Sequence, residues 1–442
     1  MNCYCVLPDP SRELLLLKKS AGGWALPSIE VDADLLIAYQ SEQVRNLLRE
    51  KVGCDAIVLQ KLVSVRKYHC LEMDLQSPFQ ANPLVYQWHG YDRLATLNYD
   101  SEQTSLLVQN WLKQNKDPDA KAALSPSQKT GWFQGATQWI DQQLEMLGWL
   151  GTGPVLQVKG GQHNSCLLYR STDAGDIFFK AGSRMLPVES QLTAELAQRF
   201  PGEIPEFLAA DHEQNWMLMR DFGNNHLGLA GDHLIPPAAK RMAEIQISTS
   251  DSLARWKALG CENWDEQGIY EHLDQAPGLL AQFDQGRNII DPQLLDDLSA
   301  RIPDIKKLIT ELFDSSLPLT LVHIEFHTAH VLVNEPGFVF HDWDGCVVTH
   351  PFHALHCMLF SIENDKLAAS VQEAFCEPFL EYEDERRLHR MSEVAGKLFW
   401  LFIYLNVRRY LQRMTPQDHR RERFLANLEN HLRRGLSQLG RG

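Results

Sequence analysis

The stretch LVHIEFHTAHVLV, Leu321–Val333, followed four residues later by FVFHDWDG, Phe338–Gly345, sets two carboxylates, Glu325 and Asp342, in short polar breaks between apolar, strand-like runs. Strands ending in such breaks present their loop side chains to a cleft. Phosphoryl transfer needs this kind of pair: one group orients the attacking hydroxyl and accepts its proton, and the other holds a cation that neutralises the phosphate oxygens. Local pattern alone does not separate that reading from a chance scatter of polar loop residues.

Working outward, the chain from Pro236 onward has an almost wholly helical pattern, interrupted only by these two apolar runs. Before it lies a strand-rich segment, with strands expected at Val155–Val158, Cys166–Arg170, Asp176–Ala181 and Trp216–Arg220. A helix is expected over Val188–Phe200, with Val188, Leu192 and Leu196 on one stripe. A small sheet lobe joined to a larger helical lobe places a ligand cleft between them. The polar, proline-containing stretch KQNKDPDAKAALSPSQKTG, Lys113–Gly131, reads as a linker. Before it, aliphatic runs at Cys3–Leu7, Glu13–Leu17, Ile57–Val65 and Leu84–Trp88 suit a mixed sheet, with a helix at Leu35–Val52 that stops at Gly53. The expected fold class is α+β. An α/β module at 1–114 and a linker at 115–130 precede a small sheet lobe at 131–223 and a helical lobe at 224–442.

A length of 442 residues calls for several compact units. A composition of 44% hydrophobic and 22% charged residues excludes disordered and fibrous classes. The longest strongly apolar run, Leu398–Val407, is about half of what a bilayer requires, so a cytoplasmic protein is expected. Nine scattered cysteines suit reduced thiols, and the close pair Cys3 and Cys5 suits a strand face in a core. A net charge of −15 disfavours nucleic acid as a partner of the whole chain. From Arg386 to Gly442, however, thirteen Lys or Arg stand against four Asp or Glu, so RNA or another anion remains an option for these helices.

The residues His323-Ile324-Glu325-Phe326-His327-Thr328-Ala329-His330, then Asp342-Trp343, then His350-Pro351-Phe352 resemble, in order and spacing, the aminoglycoside phosphotransferase family and its choline kinase relatives. The resemblance covers residues about 150–442 and implies a bilobal protein-kinase-like fold that uses ATP and Mg2+. It makes Glu325 the catalytic carboxylate, His327 a brace of its loop, and Asp342 and His330 the metal positions. Upstream, Gly160, Gly161 and Asn164 would let backbone approach the nucleotide phosphates, and Lys180 would contact them. Glu189 would hold that lysine, since Glu195, six residues on, faces elsewhere. Asp221-Phe222-Gly223 resembles the protein-kinase metal motif but precedes the Glu325 segment, so the metal is assigned to Asp342 and Asp221 is structural.

This chain departs from the family pattern at three points. Glu325 stands for the family's aspartate on a stem one methylene longer, Ile324 replaces a glycine, and His330 replaces an asparagine that helps hold magnesium, a cation that prefers oxygen. The leading expectation is a kinase acting on a hydroxyl of a small polar molecule; the alternative is a pseudokinase that binds nucleotide without transfer. A third option is a different transfer from a nucleotide. At the amino end, GGWALPS, Gly22–Ser28, and the helix QVRNLLREKVGC, Gln43–Cys54, resemble a Nudix domain. Glu50 is retained there, but Lys51 sits at a metal-binding glutamate position, which implies a non-catalytic module.

Overall fold

A computed structural model of the chain describes residues 1–31, 41–65, 67–160, 165–183, 185–334, 337–414 and 420–439. It divides into two compact units, Met1–Arg184 with Leu208–Asp221, and Met185–Phe207 with Phe222–Gly442.

The first unit begins with a four-stranded sheet in the order Ser28–Glu30, Asn2–Val6, Tyr68–Leu75, Ala56–Val65. Asn2–Val6 runs parallel to Tyr68–Leu75, with Asn2 opposite Tyr68 and Val6 opposite Glu72. Side chains alternate between faces along a strand. Cys3 and Cys5 are therefore buried on one side among Val44, Leu48 and Met73, while Val6 is buried on the other with Leu15, Leu17 and Trp111. A second antiparallel sheet joins Gly23–Ala25, Leu14–Ser20 and Tyr86–Gly90. The expected strands at the amino end are present at these places; Tyr68–Leu75, which the apolar pattern did not show, lies at the centre of its sheet. Its Glu72 and Asp74 are buried, which breaks the hydrophobic alternation.

Those two acids hold the segment read as a linker. Glu72 pairs with Arg12, whose guanidinium also reaches Thr130 Oγ1 at 3.0 Å and Asn115 Oδ1 at 3.3 Å. Asp74 accepts the Gly131 N–H at 2.9 Å. Between these points the segment carries a helix at Pro118–Ala122, capped by Asp117, and a turn at Pro126–Gln128. The helix Trp132–Leu147 follows. Its buried Phe133, Ala136, Ile140 and Leu144 fall at helical spacing. They pack on a five-stranded sheet ordered Phe207–Asp211, Trp216–Arg220, Ile177–Ala181, Cys166–Arg170, Leu156–Lys159. Ile57 and Leu59 of the amino-terminal sheet are buried in the same core. This shared burial joins the amino-terminal module and the five-stranded sheet into one body.

The second unit is mostly helical. Several of its helices start at an Asp or Asn whose side chain accepts an N–H of the first turn: Asp265, Asp291, Asn364 and Asp384. The longest, Glu385–Arg413, buries Leu388, Met391, Ala395, Leu398, Phe402 and Leu405 along one stripe. A three-stranded sheet in the order Glu262–Trp264, Val347–Thr349, Thr320–Val322 and a hairpin of Val331–Asn334 with Gly337–Phe340 are embedded among these helices. The helix Glu189–Arg199, expected with the small lobe, belongs to this unit. Among the described residues no helix is long and apolar enough to cross a membrane. Several tail arginines are spent internally, Arg390 on Glu311, Arg408 and Arg409 on Glu262, and Arg433 on Asp291.

Candidate active site

Two loops of the second unit carry the chemistry. The first, 323–330, connects the strand Thr320–Val322 to Val331–Asn334, and the second, 341–346, connects Gly337–Phe340 to Val347–Thr349. The first strand is held from below, because the Leu321 N–H donates to Thr249 Oγ1 at 3.0 Å. Trp343 anchors the second loop: it is buried and donates its Nε1–H to the Phe340 carbonyl at 2.8 Å. Burying an indole of this size stabilises the loop by on the order of 4 kcal/mol. Arg409, itself buried, donates to the Gly345 carbonyl at 2.5 Å.

His323 ties the two loops together. Its Nε2 lies 3.0 Å from the His341 carbonyl, while its Nδ1 accepts the Glu325 N–H at 3.3 Å. The His341 N–H in turn donates to the His330 carbonyl at 3.1 Å. Ile324, the departure from glycine, is buried. A Cβ on Gly345 would lie 3.0 Å from its side chain, and Gly345 has φ +70°, so the second loop makes room for the isoleucine with a residue that has neither side chain nor steric penalty there.

The structure brings Glu325, His327 and His330 together, with ligand atoms all within 4.8 Å of one another. The rings of His327 and His330 are 4.0 Å apart. His327 Nδ1 accepts the Ala329 N–H at 3.3 Å and so caps the turn that follows it. His330 bridges the loops: Nδ1 is 2.9 Å from the Glu325 carbonyl and Nε2 is 3.3 Å from Asp342 Oδ2. Burial pushes the His330 imidazole down to about 3, against the pull of Asp342, and it lowers His327 as well. At neutral pH both rings are therefore uncharged. The carbonyl contact assigns the His330 proton to Nδ1.

Asp342 has φ 67°, a left-handed conformation uncommon outside glycine, asparagine and aspartate. Its carboxylate lies within 4.8 Å of those of Glu189 and Asp344. Asp344 was not singled out from the sequence, although its spacing of two from Asp342 in a strand-end loop was the available signal. His323 and His341 likewise emerge as loop ties only when the two strands are placed side by side.

The remaining predicted residues lie in the first unit or outside the described residues. Lys180 is half-buried in the strand Ile177–Ala181. Gly160 is described, and a Cβ there would come within 2.3 Å of the Gln157 amide. That amide is committed to Val58: Nε2 donates to its carbonyl and Oε1 accepts its N–H, both at 2.9 Å. Gly160 therefore has a packing reason to be glycine. Gly161 and Asn164 lie outside the described residues. Asp221 donates its backbone N–H to the Asp176 carbonyl at 2.9 Å.

The model of the phosphotransferase enzyme family, APH, matches residues 155–393, more than half of the chain and including both loops. The chain belongs to this phosphotransferase family. No curated protein matches it. Among solved structures it is similar to macrolide 2′-phosphotransferase MphH from Brachybacterium faecium at 17% identity, covering 66% of this chain and 98% of that one, with a TM-score of 0.47. It is also similar to choline kinase from Cryptosporidium parvum Iowa II at 11% identity, covering 65% and 89%, with a TM-score of 0.47. A third is APH(2″)-IIa in a ternary complex with streptomycin and ATP, at 12% identity, covering 70% and 96%, with a TM-score of 0.48. With scores of this size the assignment rests on the family match.

Proposed function

We propose that this phosphotransferase moves a phosphoryl group from ATP to a hydroxyl of a small polar molecule. The observation that carries the reading is the pairing of the Glu325 and Asp342 loops by His323 and His330 within one unit. Glu325 orients the acceptor hydroxyl and takes its proton, and His327 keeps the following turn in place. The cluster of Glu189, Asp342 and Asp344 is all carboxylate, which fits magnesium, a hard cation with oxygen ligands; this reading gives Glu189 a place beside the cation in addition to the role toward Lys180 that the resemblance implies. When bound, magnesium would neutralise charge on the phosphate oxygens. Lys180 of the first unit would contact the α and β phosphates, and Gly160, Gly161 and Asn164 would shape the backbone near them; these roles come from the family resemblance.

The amino-terminal module is read as a non-catalytic Nudix-like domain. In support, the Lys51 ammonium lies beside the retained Glu50 at 2.5 Å, placing a positive charge where a cation would have to bind. A pseudokinase is the second reading, and the substitutions at Ile324, Glu325 and His330 favour it.

The test is magnesium-dependent ATP consumption by the purified protein with pooled hydroxylated metabolites, alongside Glu325→Gln and Asp342→Asn. Loss of a general base costs on the order of 10²–10⁴ in rate, and both variants are expected to fall by at least that range. Nucleotide binding without consumption in the wild type would move the assignment to the pseudokinase.

A further inference from the structure

We propose that Arg409 is a positioning residue of the second loop: its guanidinium fixes the end of that loop through the Gly345 carbonyl and so holds the Asp344 carboxylate in the acidic cluster. The role rests on the reading of that cluster given above. Arg409 itself lies beyond residue 393, where the family match ends.

The sequence of the long helix marks the position. Its buried stripe Leu388, Met391, Ala395, Leu398, Phe402, Leu405 advances by alternate steps of three and four residues, and the next step of four reaches Arg409. A face with that period is the core face of a helix, so the arginine is drawn into the interior. A charge there is costly unless folding supplies its partners.

The partners lie on the loop and on the strand beside it. The Arg409 side chain is 2% exposed, and its Nε lies 3.3 Å from Glu262 Oε1. The guanidinium is 5.8 Å from the Trp264 ring centre, and Nη1 donates to the Gly345 carbonyl at 2.5 Å. Glu262 is held in turn, since its Oε2 accepts from Arg408 Nη2 at 2.7 Å and from Trp264 Nε1 at 3.0 Å. The strand Glu262–Trp264 pairs with Val347–Thr349, which follows the loop directly. Arg409 therefore spans from a fixed carboxylate to the last turn of the loop, with a charged donor whose bond is stronger than a neutral one.

Anchored residues and acids alternate along the loop. His341 is tied through its N–H to the His330 carbonyl and through its carbonyl to His323 Nε2. Trp343 is buried and bonded to Phe340. Gly345 is gripped by Arg409, and Ile324 and Leu186 carbons lie 3.0 and 3.1 Å from where its Cβ would stand. Asp342 and Asp344 occupy the places between. The anchors flanking Asp342 come from the two loops and their strands, whereas the anchor on the far side of Asp344 is Arg409. Loss of Arg409 should free Asp344 and leave Asp342 nearly in place.

The test compares the full-length wild type with Arg409→Met and Arg409→Lys, and with Arg433→Met as a control that removes an exposed arginine of the last helix. Lysine keeps the charge, but as a single donor point it does not span Glu262 and Gly345. Thermal unfolding shows which variants are folded. Hydrogen exchange read by mass spectrometry follows the loop in a peptide spanning 341–349, with one spanning 320–330 as reference. Paramagnetic resonance of Mn2+ bound in the presence of ADP reads the acidic cluster without turnover. Losing a hydrogen bond to a charged group shifts a local opening equilibrium by roughly ten- to a hundredfold. Exchange in 341–349 should quicken by about that factor in folded Arg409→Met, with 320–330 and the control unchanged. Mn2+ affinity should fall at least about tenfold. Arg409→Lys should lie between, and it takes the place of the methionine variant if that one fails to fold. Unchanged exchange in 341–349, or equal quickening in both peptides, would overturn the proposal. Quickened exchange in 341–349 with unchanged Mn2+ affinity would reduce Arg409 to a structural support and overturn it as well. A wild type that neither binds Mn2+ with ADP nor consumes ATP would remove the kinase reading, and the exchange result would then decide by itself whether Arg409 holds the loop.

Discussion

At the residue scale, Asp342 combines two demands that can be separated. Its carboxylate belongs to a three-acid cluster, and its backbone is left-handed at φ 67°. Asparagine tolerates that backbone and removes one of three neighbouring like charges. Asp342→Asn should therefore match the wild type in stability without metal, or exceed it, while losing activity. Alanine lacks the local hydrogen bonding that eases the left-handed state, so Asp342→Ala should be less stable than the asparagine variant by about 1 kcal/mol. Urea unfolding of the metal-free proteins measures this difference. Equal stability of the two variants would mean that the left-handed backbone does not persist in solution.

At the level of elements, the decisive contact is made by a side chain that acts as a strand. The Gln157 amide bonds both the N–H and the carbonyl of Val58, linking the strand Leu156–Lys159 to Ala56–Val65. Glu42 accepts the Gln157 N–H at 3.3 Å, and Arg45 reaches the Val155 carbonyl at 3.4 Å. Gln157→Leu would leave two buried backbone groups of Val58 unpaired. Each such group costs about 1–3 kcal/mol, so a loss of roughly 2–6 kcal/mol is expected in denaturant unfolding. A loss below about 1 kcal/mol would show that water replaces the amide. No sequence pattern announces a joint of this kind: Gln157 alone reads as one polar residue in a strand, and its partner is 99 residues away.

On the scale of the whole molecule, the amino-terminal module is part of the body that carries Lys180. Ile57 and Leu59 are buried with Phe133, Ile140, Leu168 and Phe179, and removing them would bare an apolar face on the helix Trp132–Leu147 and its sheet. A fragment of residues 131–442 should therefore be poorly soluble or bind a hydrophobic dye, while the full chain does neither. Gel filtration and dye fluorescence on both would decide it. A soluble, monodisperse fragment would show that the sheet and its helix are stable without the module.

What the amino-acid sequence determined by itself was local. The order and spacing of His323, Glu325, His330, Asp342 and His350 carry the family, and apolar periodicity found most strands and the helical character of the chain from Pro236 onward, because both signals are written in neighbouring residues. The tertiary structure alone decided which side chains meet. Asp344 joins Glu189 across 155 residues of chain, and His323 binds the two loops. The buried acids of Tyr68–Leu75 turn the segment 115–130 from an expected spacer into a fastened connection. The physical reason is common to all three: a polar group can be buried only where folding supplies its partner, and that partner lies far away in sequence.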